Sequence, residues 1–199
     1  THYGEQSDEW TEDPSMRAFA PIVQGRLKLD VSARVLDVGC GSGSDVVYCA
    51  ELFANVVGID LCQHQNWKRI ADFNPNVHFY CCSFLEFNEF DRFDLIVDNG
   101  CFHHQHPDDH LIYLEKVRNL LAPNRWFALS TFKNDRFDEF VDDKGRLHRY
   151  FDDYEIDSLL AKVGLVSKDS VDIFRLKKRD YYRVTFASVG KGSAKDIAP

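Results

Sequence analysis

Short apolar runs alternate along the chain with stretches whose apolar positions repeat at helical spacing. The runs are Val35–Val38, Asn55–Asp60, Val77–Cys82, Phe93–Asp98 and Trp126–Phe132. Short apolar runs of this kind suit buried parallel strands. Between them Asp45–Phe53 and Gln63–Phe73 read as helices, the second ended by Asn74-Pro75. Upstream, Asp13-Pro14 is a helix start, with Met16, Phe19, Ala20, Val23 and Leu27 at helical spacing. Pro21 is expected to kink that helix. His106-Pro107 opens another, with Asp108 and Asp109 near its positive end and Leu111, Leu114, Val117 and Leu121 toward the sheet. Pro123-Asn124 closes it. Asp152 with Glu155 makes a capping-box-like start, Ile156, Leu159, Leu160 and Val163 give the apolar stripe, and Gly164 is the stop. Two last strands, Ser167–Leu176 and Tyr181–Val189, share a short turn and read as an antiparallel hairpin. Strand–helix alternation ending in a hairpin predicts a doubly wound, mostly parallel α/β sheet.

The most informative stretch is Val35-Leu36-Asp37-Val38-Gly39-Cys40-Gly41-Ser42-Gly43-Ser44. An apolar run breaks into a glycine-spaced loop, and a helix follows. That arrangement lets a ligand approach bare backbone beside a helix N-terminus. A Cβ at the glycines would block the approach or the required φ. Asp60, at the tip of the second run, is placed to accept hydrogen bonds from ribose hydroxyls. Together they point to an adenosine-containing cofactor. The spacing is G-x-G-x-G, and Ser44 stands where a dinucleotide fingerprint needs its last glycine, which argues against a nicotinamide.

Leu36–Gly43 resembles the first motif of the class I S-adenosylmethionine-dependent methyltransferases. Val57-Gly58-Ile59-Asp60 is similar to their second motif, and Phe93–His104 to their fourth-strand motif. The portion Asn99–His104 looks most like small-molecule branches, including thiopurine and tellurite-type enzymes. The resemblance spans residues 33–165. It implies a Rossmann-like, seven-stranded methyltransferase sheet with S-adenosylmethionine as cofactor and S-adenosylhomocysteine as product. It also implies methyl transfer to an S, N or O atom of a small-molecule acceptor. Carried onto this chain, it puts Gly39, Cys40, Gly41 and Gly43 beside the amino-acid and ribose portions of the cofactor. Asp37 falls near the methionine amino group, Asp60 on the ribose and Leu61 beside the adenine. Asp98, Asn99 and Gly100 come close to the methyl group and the ammonium. Members often carry an acid after the third strand, against the adenine amino group. This chain has Cys82-Ser83-Phe84 there, leaving Ser83 to hydrogen-bond and Phe84 to pack on the ring. His103 and His104 continue toward the acceptor and are the candidate catalytic bases, since imidazole titrates near neutral pH. A packing role in the turn is the alternative for both.

Composition narrows the choice of partner. The 199 residues suit one α/β domain over 1–190, with a cap segment at 1–28 and a flexible tail at 191–199. A net charge of −8 argues against a nucleic-acid partner. The one basic stretch, Arg175–Arg179, reads as a solvated turn. No apolar run approaches a membrane span and no signal-peptide pattern opens the chain. No membrane partner and a cytoplasmic location are therefore expected, while the oligomeric state is left open. The six cysteines lack C-x-x-C spacing and read as buried reduced thiols. Cys101, His103, His104, His106 and His110 have ligand chemistry but no standard zinc spacing, so no metal is expected.

Residues 134–150 form a long, mixed-charge segment that leaves the carboxyl end of the fifth strand. It reads as a substrate lid, with Arg146, His148, Arg149 and Tyr150 available to a polar or anionic acceptor. Tyr3, Trp10 and Phe19 are expected to help cover that acceptor. Two other function classes stay open from the residues alone: a nicotinamide-dependent oxidoreductase, and a non-catalytic cofactor- or partner-binding protein with the same fold.

Overall fold

The apolar runs become neighbouring strands of one sheet. In the computed structural model, which describes residues 14–134, 139–143, 145–175 and 180–190, they are β1 (Arg34–Val38), β2 (Asn55–Asp60), β3 (Val77–Cys81), β4 (Phe93–Asn99) and β5 (Leu121–Lys133). All five are parallel, in the order β3-β2-β1-β4-β5. A short hairpin, β6 (Glu139–Val141) and β7 (Leu147–Phe151), follows. The chain ends its described part with β8 (Leu165–Arg175) and β9 (Asp180–Val189), where β9 joins β5 antiparallel and carries β8. The expected seven-stranded, mostly parallel sheet with a terminal antiparallel hairpin is thus present, as β3-β2-β1-β4-β5-β9-β8. The helices are α1 (Pro14–Arg17), α2 (Phe19–Arg26), α3 (Ser44–Ala50), α4 (Asn66–Phe73), α5 (His110–Leu120) and α6 (Asp153–Lys162).

Strand periodicity sorts neighbouring residues onto opposite faces. Leu36, Val57 and Ile96 pack with α5 and α6 through Tyr113, Leu114, Val117, Ile156 and Leu160. Val35, Val56 and Leu95 pack on the other face with α2, α3 and α4 through Phe19, Val23, Val46 and Trp67. Both faces of the central strands are covered, which is why their apolar residues stand at neighbouring positions and not only at alternate ones.

Several expectations need correction. The N-terminal helix breaks at Ala18, between α1 and α2, and not at Pro21. Pro21 lies in the first turn of α2, where a missing N–H forfeits no intrahelical bond. The α5 stripe is shifted, because a 3₁₀ turn at Pro107–Asp109 precedes the helix. Tyr113, Leu114, Val117 and Leu120 face the sheet, Leu111 is partly exposed, and Leu121 already belongs to β5. Pro123-Asn124 forms a bulge inside β5, with Asn124 at φ 59 and pairing resumed at Trp126. Residues 134–150 are not simply a loop: they contain the β6–β7 hairpin. Phe19 is core, beneath the sheet, and not a cover over the acceptor. Arg175 is not solvated but buried, ion-paired with Asp180 and laid over Phe132 and Tyr182. Tyr3, Trp10, Asp13, residues 176–179 of the basic turn and the 191–199 tail lie outside the described residues. The six cysteines are free thiols; Cys40 and Cys49 are buried, and Cys81 is exposed.

Candidate functional site

The carboxyl ends of β1, β2 and β4 converge on the glycine loop. Gly39, Gly41 and Gly43 have φ of +73°, +49° and +90°, a region that residues with a Cβ avoid. The loop is pinned by Gly39 N–H and Cys40 N–H, which donate to the Ile59 carbonyl at 2.8 and 3.0 Å. Gly39 also has no room for a side chain, since a Cβ there would stand 2.8 Å from Cys101 Cβ. Asp60 is fixed from two sides. Its Oδ2 accepts from Gly41 N–H and its Oδ1 from Cys62 N–H, both at 3.0 Å. Leu61 beside it is exposed.

Behind the loop lies a group of acids, Asp37 and Asp98 buried and Asp45 half-buried. Asp37 is 2% exposed, and its Oδ2 has no hydrogen-bond partner among the described residues. Burial, then the neighbouring Asp45, Asp98 and Asp60, push its carboxyl well above the usual range. Asp45, in the first turn of α3, is pushed up to about 6 by burial, against a hydrogen bond from Asn99. Asn99 Nδ2 reaches Asp45 Oδ2 at 2.8 Å and the Met16 carbonyl at 3.1 Å, while its Oδ1 is buried without a partner among the described residues. Orphaned, buried acceptors beside carboxylates held back from ionising suit a cationic group.

Asp98 organises the turn after β4. Its Oδ1 accepts from Gly100 and Cys101 N–H at 3.1 and 2.7 Å, and its Oδ2 from Phe102 N–H at 3.1 Å and the Tyr113 hydroxyl at 2.5 Å. Burial still lifts its carboxyl to about 6. The Cys101 thiol is pushed up by burial and by Asp98. Gly100, at φ +107°, lies against Met16, so α1 closes over this turn.

The two candidate bases are placed differently. His103 is sealed against Phe132, ring centroids 3.8 Å apart, and its Nδ1 has no partner among the described residues. Burial, then the fields of His104, His148 and Arg175, hold its pKa well below the ordinary value. His104 is half-buried, with Nδ1 2.5 Å from the Leu147 carbonyl. A carbonyl only accepts, so Nδ1 carries the proton. Burial lowers this imidazole to about 4 despite that bond, so the ring is neutral at pH 7.

Leu147 belongs to the hairpin, whose position follows from pairing. β4 leaves β5 at Asn99–Ser130, and β7 takes up β5 at Phe132–Tyr150. The opposite edge of β5 is filled by β9 as far as Lys133, so β7 sits on the β4 edge, above the end of β4. Asp142 ties the hairpin together through Arg146 Nε and His148 Nε2, at 2.8 and 2.9 Å. Desolvation opposes its ionisation, but the bonds from His148 and Arg146 hold its carboxyl far below the usual range. Arg149 bridges Glu139 and Glu155.

The remaining sequence candidates scatter. Phe84 is buried in the core, its ring 4.5 Å from Tyr113, and Ser83 is half-buried, with its carbonyl capping a turn through Glu86 N–H. Cys40 is buried, and burial followed by Asp37 and Asp60 raises its thiol pKa. No cluster of three or more metal-ligating side chains occurs among the described residues. Asp45 and Tyr113 were missed by sequence reasoning. Asp45, in the first helical turn after the glycine loop, was a signal available there; Tyr113 offered none.

A family model described as a methyltransferase domain matches residues 11–168. The 1,6-didemethyltoxoflavin-N1-methyltransferase of Burkholderia thailandensis, solved with 1,6-didemethyltoxoflavin and S-adenosylhomocysteine bound, is 33% identical with a TM-score of 0.86. That match covers 92% of this chain and 82% of the other. A tRNA U34 carboxymethyltransferase of Shewanella piezotolerans is 36% identical over 120 residues, covering 57% of this chain. The match spans only 35% of that protein's length. An uncharacterised methyltransferase of Schizosaccharomyces pombe is 36% identical over 102 residues, 49% of this chain and 70% of its own. No helix among the described residues is long and apolar enough to cross a membrane.

Proposed function

This chain belongs to the methyltransferase-domain family, and we propose that it transfers the methyl group of S-adenosylmethionine to a small-molecule acceptor. The carrying observation is the pair of orphaned buried oxygens, Asp37 Oδ2 and Asn99 Oδ1, beside a loop of three glycines at positive φ. When bound, S-adenosylmethionine supplies an electrophilic methyl group on a sulfonium.

The chain's own residues then bind and orient. Asp37, Asp45 and Asn99 take the methionine ammonium, whose charge lets the acids ionise. Gly39, Cys40, Gly41 and Gly43 allow close backbone approach, and Asp60 accepts from the ribose hydroxyls. Leu61 and Ser83 border the adenine. Asp98 holds the Gly100–Phe102 turn still at the transfer point, and orientation of this kind supplies much of the rate. His104, neutral and with Nδ1–H spent on Leu147, has Nε2 as its lone-pair nitrogen. A ring this weakly basic suits orienting the acceptor rather than removing a tightly held proton. His103 supports this wall by packing on Phe132. The β6–β7 hairpin and α1 keep water from the acceptor.

Among S, N and O nucleophiles, the likeness to the toxoflavin enzyme supports a ring nitrogen of a planar heterocycle. A nucleic-acid acceptor, suggested by the tRNA-acting relative, is opposed by the net charge of −8. Calorimetric titration with S-adenosylmethionine, S-adenosylhomocysteine and NADH tests the reading. Saturable binding of the first two alone is expected, followed by a 14-dalton gain on a heterocyclic acceptor by mass spectrometry. Folded protein that binds neither would overturn it.

A further inference from the structure

The crest of the glycine loop is held from below by an aromatic residue that has no part in the functional assignments above. Trp67, in the first turn of α4, is 4% exposed. Its indole Nε1–H donates to the Gly41 carbonyl at 2.8 Å. The ring cannot tilt away, because it lies flat on Phe79 of β3, centroids 4.8 Å apart and planes within 7°. Phe79 in turn occupies the space that a side chain at Gly58 would need. On the other side of the same residue, Gly41 N–H donates to Asp60 Oδ2. Both polar groups of Gly41 are therefore fixed, one by α4 and one by the tip of β2. A Cβ built on Gly41 meets nothing within 4 Å among the described residues, so the clamped residue faces away from them.

We propose that Trp67 is a positioning residue for the cofactor, turning the Gly41 carbonyl into the protein so that Gly41 presents no acceptor oxygen to the cofactor's carboxylate. The assignment rests on the methyltransferase reading. Two acceptor oxygens facing each other repel, and a loop free to flip its peptide would present its carbonyl part of the time. Losing the indole N–H frees the Gly41 peptide to flip; one hydrogen bond weights that equilibrium about ten-fold, so affinity falls by up to about ten-fold as the binding-competent fraction shrinks.

The test is the dissociation constant of S-adenosylhomocysteine, by calorimetry on the full chain. Two variants are used: Trp67→Phe, and a chain carrying β-(3-benzothienyl)alanine at position 67, in which sulfur replaces the N–H at unchanged shape. Both are expected to bind more weakly, by up to about ten-fold, and the sulfur variant to melt close to the parent. A packing role alone would lower the melting temperature of Trp67→Phe and leave the affinity of the sulfur variant unchanged. That outcome overturns the assignment, even if Trp67→Phe fails to fold. An unsubstituted chain that does not bind S-adenosylhomocysteine overturns the methyltransferase reading itself, and the assignment with it.

Discussion

The side-chain amide of Asn99 donates to Asp45 Oδ2 at 2.8 Å, tying the end of β4 to the first turn of α3. The bond orients a carboxylate that burial pushes up to about 6, and it leaves Asn99 Oδ1 without a hydrogen-bond partner among the described residues. Asp45→Asn keeps the shape and a carbonyl oxygen for Asn99 but deletes the charge. Its affinity for S-adenosylhomocysteine is expected to fall about ten-fold, the scale of one charge-assisted hydrogen bond. The ligand-free protein should be no less stable at pH 7.5. Calorimetry and urea denaturation check both parts; unchanged affinity would remove Asp45 from the site.

Acidity should oppose cofactor binding. Asp45 and Asp98 have folded-state pKa values of about 6, raised above the ordinary carboxylate value near 4. Between those values the folded chain holds more protons than the unfolded one. Ligand-free stability from these groups therefore falls as pH rises through that window, and levels above it. A cationic ligand needs the ionised form, so its affinity moves the other way. Binding of S-adenosylhomocysteine at pH 5 is expected to be about ten-fold weaker than at pH 7.5 for each such group that must ionise. Equal affinity at both pH values would contradict the cationic role of the cluster.

Tyr113→Phe removes the hydroxyl that reaches Asp98 Oδ2 at 2.5 Å, with little change of volume. Asp98 keeps its backbone donors, so the turn should survive. A stability loss of about 1–3 kcal/mol in urea is expected from one buried bond to a carboxylate. A loss under half a kcal/mol would mean that this bond carries nothing.

Gly39→Ala and Gly41→Ala should fail in different ways. Both sit at positive φ, which costs a residue with a Cβ about 1–2 kcal/mol. Gly39→Ala also drives a methyl to 2.8 Å from Cys101 Cβ and is expected to melt far below the parent. Gly41→Ala meets nothing among the described residues and should stay folded, yet lose S-adenosylhomocysteine binding as its methyl fills the approach. Retained binding in Gly41→Ala would place the cofactor elsewhere.

Asp142→Ala unties Arg146 and His148 within the hairpin. Hydrogen exchange at Leu147–Phe151 is expected to quicken, while affinity for S-adenosylhomocysteine changes less than two-fold. Acceptor turnover should fall through KM. Weakened cofactor binding instead would show that the hairpin serves the cofactor, not the acceptor.

How far the sequence carries is visible in individual residues. The glycine loop was legible because strand, glycines and helix follow each other in one continuous stretch. Asp60 was legible because it ends an apolar run. The β6–β7 hairpin was not, because its strands are short and mixed in charge and its place comes from β5 outlasting β4 by a few residues. His103 and His104 looked alike in sequence. In the fold one is sealed under Phe132 and the other has its tautomer set by Leu147, forty-three positions away. Phe84 and Phe19 looked available for ligand, and the core absorbed both.

By itself, then, the sequence determined the local matters: strand and helix order, both-face burial of the sheet, the glycine turn and the acid after β2. These depend on periodicity and on backbone freedom within a few residues. Only the tertiary structure decided that Asp37, Asp45 and Asp98 gather, that Asn99 and Tyr113 donate to two of them, and that His103 packs under Phe132 while His104 meets Leu147. Burial, and with it the raised carboxyls of these acids, is a property of segments that meet from distant parts of the chain, and no local pattern encodes which of them will meet.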